Sequence, residues 1–289
     1  MLKELRPQDS RPLIDLFESL RFTIAVDAII TGNKQGKIFA DNIKSPCLGV
    51  LWDYADGIYI AGKTTEESYE RDIQVLRSLF CQIILPEALK NSNEPVFVIY
   101  CFPERLNLGI PTLFNVEWII SQASAVFFEF PSSIPSWSDN ETLSGNLILQ
   151  PITPALQTYL MLEDAQFLTE EIKTNWGTLD NFFRSGLGYL ILDIESKALI
   201  SWCLVDTIGN QCAELGVETI SSYRKKGLAT IVAKETIKAC LQSRLTPHWY
   251  CFSDNLGSMA LAEKLGFSLI KEFEVTICHG SKNILKGGN

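Results

Sequence analysis

Three groups of residues in this chain of 289 have types and spacings that could do chemistry. The first is YRKKGLAT, Tyr223 to Thr230, where Arg224, Lys225 and Lys226 stand just ahead of Gly227 and a helix-like stretch. The second is the pair Glu214 and Glu218, four apart on the strand-like run CAELGVETI. A regular strand turns both carboxylates to one side, where either can accept a proton. The third is SDNLGSMALAEKLG, in which Asn255 and Ser258 open a helix that Gly266 ends.

The elements around YRKKGLAT give it meaning. A strand feeding a loop whose glycine begins a helix aims several free backbone N–H groups, and the positive end of the helix dipole, at one spot. Gly227 and Ala229 lack bulk, so a phosphate can approach the main chain closely. Arg224, Lys225 and Lys226 can add charge-assisted contacts. On the bare pattern R-x-x-G-x-A, a charged helix entry explains the residues equally well. Two other phosphate-binding patterns, G-x-x-x-x-G-K-[ST] and G-x-G-x-x-G followed by a ribose-binding acid, are missing.

Composition narrows the classes further. Net charge is -9 and the sequence pI is about 4.9. Neither half of the chain has the basic excess of a nucleic-acid binder, whereas an acidic surface suits a cationic small molecule. With only His248 and His279 present, a three-histidine zinc site cannot be built, and no metal is expected. The eight cysteines form no C-x-x-C pair, and several sit in apolar runs as small core residues. No apolar run reaches membrane-spanning length, so the expectation is a reduced, cytoplasmic protein without a membrane partner.

Along the chain the pattern is α/β. LGVLWD and GIYIAG flank Asp56-Gly57 as a hairpin, and Glu66 to Leu85 shows helical spacing at Ile73, Leu76, Leu79, Phe80 and Ile83. PVFVIYCF and SAVFFEF read as strands with a helix between them near Phe114 to Gln122. The polar stretch around residues 131–146 marks a linker, so the expected domains are 1–140 and 141–289. The second reads β-α-α-β-β-β-α-β-α-β, with a helix from Gly227 to about Ser243.

The residues Arg224, Gly227 and Ala229, followed by WYCFSDNLGSMALAEKLGF, resemble the GNAT N-acetyltransferases, and more narrowly the zwittermicin-resistance-type subgroup. The match covers roughly residues 146 to 279. It implies a C-terminal mixed sheet flanked by helices, with the first domain either a degenerate GNAT-like copy, an acceptor wall or a homodimer face. It also implies acetyl-CoA as co-substrate and a small-molecule or peptide-like amine as acceptor. The pyrophosphate would lie on Arg224, Lys225, Lys226, Gly227, Leu228, Ala229 and Thr230. The pantetheine arm would lie along Val217, Glu218 and Thr219, with Asn255 and Ser258 facing it. Glu214 or Glu218 would be the general base. One departure counts against turnover: the tyrosine that the family places before Glu263 is Ala262 here. Ser258, Tyr223 or water would then protonate the thiolate, or the domain binds acyl-CoA without catalysis.

Overall fold

Short β-branched and aromatic runs form the strands, and the amphipathic runs between them form the helices, in a computed structural model that describes residues 1–115, 117–131, 133–137, 142–143, 145–160 and 165–280. Packing divides the chain into two units, residues 1–125 with 273–289, and residues 126–272. The boundary expected at 140/141 falls on residues outside those described.

In the first unit the strands β1 (Lys3–Leu5), β2 (Lys37–Ala40), β3 (Leu48–Trp52), β4 (Gly57–Gly62) and β5 (Val96–Phe102) lie side by side in that order. The helices α1 (Leu13–Leu16) and α2 (Ile24–Thr31) separate β1 from β2. All pairs are antiparallel except β4 and β5, which run parallel from Gly57↔Val98 to Ala61↔Phe102. The β3–β4 hairpin forms around Asp56-Gly57 as expected. The helical stretch predicted from residue 66 becomes α3 (Tyr69–Leu79), one π-helical turn (Phe80–Ile84) and α4 (Leu85–Asn91). Of its expected stripe Ile73, Leu76, Leu79 and Phe80 are buried in the core, with Ile84 there in place of Ile83, which is only partly buried.

The helix expected near Phe114 to Gln122 is not there. Pro103 and Pro111 fit a tighter 3-10 run over Glu104–Leu113, and β6 (Ile119–Glu129) already begins at the β-branched pair Ile119-Ile120.

The second unit follows the predicted order with one extra short helix, α5: β7 (Leu147–Pro151), α5 (Gln157–Leu160), α6 (Gln166–Trp176), α7 (Leu179–Ser185), β8 (Gly188–Asp193), β9 (Leu199–Gly209), β10 (Cys212–Thr219), α8 (Leu228–Gln242), β11 (Thr246–Phe252), α9 (Leu256–Leu265) and the start of β12 (Ser268–His279), whose residues from 273 on belong to the first unit. Strands β7 to β10 form an antiparallel meander, and β11 joins β10 in parallel. Helix α8 buries Val232, Ala233, Ile237 and Cys240 against one face of this sheet. Helices α6 and α7 bury Leu168, Ile172 and Phe182 against the other, where Trp202 and Leu204 meet them. Each such aliphatic side chain contributes about 1.5–3 kcal/mol of burial. Five of the eight cysteines are buried and none is bridged, in keeping with their reading as small core residues.

Candidate functional site

The site begins where two strands part. Four parallel pairs, Cys212↔Thr246 to Leu215↔Trp249, hold β10 to β11. Beyond them both strands continue, to Thr219 and to Phe252, with no further pair between them. The splay opens a cleft of about 770 Å³, walled by β9, β10, β11, α6 and α9. Edge backbone groups of residues 216–219 that a neighbouring strand would otherwise satisfy face this opening.

The first unit also has one parallel strand pair, β4 and β5, but it is laddered to Phe102, the last residue of β5. The loop that follows β4 carries Lys63, Glu66 and Glu67, where the second unit carries Arg224, Lys225 and Lys226. Only the second unit pairs an open strand wedge with a basic helix entry.

That entry is shaped by two left-handed residues, Lys225 at φ 62° and Gly227 at φ 80°. Gly227 holds the N-cap position of α8, and no side chain caps the helix. The N–H groups of its first turn, Leu228 to Thr230, have no acceptor within the helix and point out from its positive end. Leu228 and Thr230 are buried, so they offer main chain and not side chain. Lys264 of α9 reaches the same turn, Nζ donating to Thr230 Oγ1 at 3.3 Å. Lys226 lies over the Tyr223 ring, 4.4 Å from its centroid. Sequence reasoning passed over Lys264, although it stands in the very motif EKLGF that flagged α9.

Of the predicted residues, Glu214, Val217, Glu218, Arg224, Asn255 and Ser258 line the cleft. The run from Lys225 to Thr230 lies outside that lining, at the entry of α8. Thr219 is buried with its hydroxyl 2.7 Å from that of Ser201. Asn255 caps α9, its Oδ1 accepting from Ser258 N at 3.1 Å. Ser258 Oγ accepts from the Trp249 indole at 2.9 Å. Tyr223 does not line the cleft, while Tyr250, a phenol that sequence reasoning left aside, does. Ala262 is fully buried in the core. His248 is buried too, with Nε2 3.4 Å from Glu129 Oε2 but without hydrogen-bond geometry, and burial pushes its pKa down.

The floor of the cleft is acidic. On β10 the buried Ala213 and Leu215 alternate with Glu214, Gly216 and Glu218, which share the opposite face. A bulge interrupts the β9–β10 ladder between Glu214 and Leu215, which pair with Thr207 and Val205. The extra residue is therefore Asp206 on β9, and the alternation of β10 itself is intact. Glu218 Oε1 accepts from Thr219 N at 3.0 Å and from Arg224 at 2.8 Å. From α6, Glu171 Oε2 accepts from the Trp202 indole at 2.6 Å, and Asn175 donates to Asp206 Oδ1 at 2.8 Å. Burial pushes the Glu171 carboxyl above the ordinary range, the Trp202 bond opposes this, and the Glu218 charge adds to it. The spacing of Phe167, Glu171 and Asn175, four apart on one helix face, was the signal for this wall. Nothing in the sequence marks Asp206. Among the described residues no group of three or more His, Cys, Asp or Glu is arranged to hold a metal ion. Nor, among the described residues, is any helix long and apolar enough to cross a membrane.

Comparison with known proteins agrees with this geometry. Residues 138–276 match the GNAT acetyltransferase family model. An uncharacterised N-acetyltransferase of Bacillus subtilis, YdfB, is 33% identical over 100 residues, which are 35% of this chain and 38% of that protein. The chain thus spans well under half the length of the curated relative it matches. Among solved structures, a GCN5-related N-acetyltransferase-like protein from Streptococcus suis superposes with TM-score 0.66 at 19% identity, covering 94% of this chain and 98% of its own. A tandem GNAT protein from the clavulanic acid biosynthesis pathway gives TM-score 0.56 at 12% identity, covering 96% and 98%. At such identities the likeness is one of fold, and it covers both units.

Proposed function

From the premise that residues 138–276 match the GNAT acetyltransferase family model, we propose that the chain is an acetyl-CoA-dependent N-acetyltransferase acting on an amine of a small molecule or peptide-like acceptor. The observation that carries this reading is the coincidence of a splayed parallel strand pair with an uncapped, glycine-entered helix directly after it.

The residues fit the co-substrate. The first-turn amides of α8, from Leu228 to Thr230, together with Lys225, Lys226 and Lys264, suit a pyrophosphate. The edge of β10 from Val217 to Thr219 offers main-chain groups to the amides of a pantetheine arm. Acetyl-CoA supplies an acetyl thioester, whose transfer needs a neutral amine and an outlet for the thiolate. Glu214 and Glu218 flank Gly216 on the open face, where either can take the amine proton directly or through one water. Ser221, Tyr250 and Ser258 are the hydroxyls of the lining that can serve the thiolate side, Ser258 being already oriented by Trp249.

Thiol release measured across primary amines, with CoA binding followed by calorimetry, tests the proposal. Turnover with at least one amine is expected, and Gly227→Val is expected to weaken CoA binding. Binding of CoA without thiol release from any amine would overturn it in favour of a non-catalytic acyl-CoA-binding module, the reading that the buried Ala262 favours.

A further inference from the structure

Around Gly216 the cleft is built for positive charge. A Cβ at this glycine would collide with Asp206 Oδ2 and stand 2.9 Å from Glu171 Oε1. Two carboxylates from different elements therefore converge over one Cα, in space that only glycine leaves open. Their other oxygens are oriented by neutral donors, the Trp202 indole on Glu171 and the Asn175 amide on Asp206. Glu214 and Glu218 bracket the same point from β10, so four acidic side chains line the cleft. Arg224 is the one basic side chain in the lining, and it is engaged by Glu218 and by Thr219 O.

Glu171 shows the consequence. It is partly buried, and the groups acting on it are an indole N–H and a second carboxylate, with no cation among them. A charge held this way is costly until a cation arrives. The acids do not group as metal ligands, which favours an organic cation. Beside them Tyr250, Phe252 and the exposed Phe167 provide aromatic surface for an aliphatic chain.

We propose that the acceptor is an aliphatic diamine or longer polyamine, whose non-reacting ammonium is held between Glu171 and Asp206 over Gly216 while its reacting amine faces Glu214 or Glu218. This rests on the acetyltransferase reading of the same cleft. A free carboxylate on the acceptor would be repelled, so amino acids and acidic peptides are excluded. The second ammonium forms charge-assisted contacts that a monoamine of equal length lacks.

The test compares 1,5-diaminopentane, 1-aminopentane and 6-aminohexanoate in thiol-release kinetics with the full chain. The diamine is expected to exceed the monoamine about tenfold in kcat/KM at low salt, with the amino acid weakest. In Glu171→Gln and Asp206→Asn that ratio should fall towards one, while CoA binding reports that the variants are folded. Equal rates for diamine and monoamine, or a preference for the amino acid, would overturn the proposal while leaving the acetyltransferase reading standing. Should no amine release thiol, the acetyltransferase reading fails, and calorimetry of 1,5-diaminopentane then decides this one. Binding that Glu171→Gln weakens about tenfold supports it, and absence of binding overturns it.

Discussion

The guanidinium of Arg224 donates to Glu218 Oε1 at 2.8 Å and, through Nε, to Thr219 O at 3.0 Å. The residue that opens the basic loop is thus fastened to the last turn of the strand that lines the cleft. Arg224 therefore acts on the loop from its strand end, and the uncapped first-turn amides of α8 stand beyond it.

This arrangement separates stability from binding. Both partners are largely exposed, at 61% and 47% of their side-chain surface, and such pairs contribute at most about 1 kcal/mol. Arg224→Gln should accordingly leave the denaturation midpoint nearly unchanged. It should raise the KM for acetyl-CoA by roughly tenfold, because the loop loses two anchors at once. Arg224→Lys, which cannot make both bonds, should restore little. A large loss of stability with an unchanged KM would show the pair to be merely structural.

The two candidate bases should differ in kind. Glu214 sits beside Leu215↔Trp249, where the strands part, whereas Glu218 holds Arg224 and Thr219 N. Glu214→Gln is expected to lower kcat by about 10²–10⁴ with little change in acetyl-CoA KM, as for loss of a general base. Glu218→Gln is expected to act first on the acetyl-CoA KM, through Arg224. Steady-state kinetics of both variants with one amine would check the division. The reverse pattern would move the base to Glu218.

Binding stoichiometry follows from the strand ladders. The β4–β5 ladder reaches Phe102, and the loop after β4 holds one lysine and two glutamates where the second unit holds three consecutive cations, so the described residues of the first unit offer neither the wedge nor a comparable basic helix entry. Calorimetry of CoA should give one site per chain. A second site of comparable affinity would contradict this.

Much of the second unit was legible in the sequence because its signals are local. Gly266 adopts the left-handed conformation that a helix C-terminus favours, and Asn255 caps α9 through Ser258 N. The amphipathic stripe of α8 packs as its spacing predicts. What stayed hidden is made by tertiary contact. Asp206 enters the cleft through a bulge set by pairing with β10, and Lys264 reaches Thr230 across 34 residues. In the first unit, the helix expected between two strands near 114–122 gives way to a proline-favoured 3-10 run over Glu104–Leu113 and to β6 from Ile119.

One prediction concerns stability alone. Asp53 of the first unit is buried at the β3–β4 turn, its Oδ1 accepting from Gly57 N at 2.9 Å and Ala55 N at 3.0 Å. Burial, opposed by Lys34 and reinforced by Asp56, pushes its pKa to about 6 from 3.8. The folded state thus holds this proton more tightly than the unfolded chain does. The stabilising contribution is complete below pH 3.8 and is lost as pH rises to about 6. Asp53→Asn, neutral throughout, lacks this loss. Relative to the parent, its unfolding free energy should therefore increase by on the order of 2–3 kcal/mol between about pH 4 and pH 6 and stay level above. Urea denaturation of both proteins at half-unit steps of pH would read the difference. A flat difference across that window would mean that Lys34 already neutralises the carboxylate in the folded state.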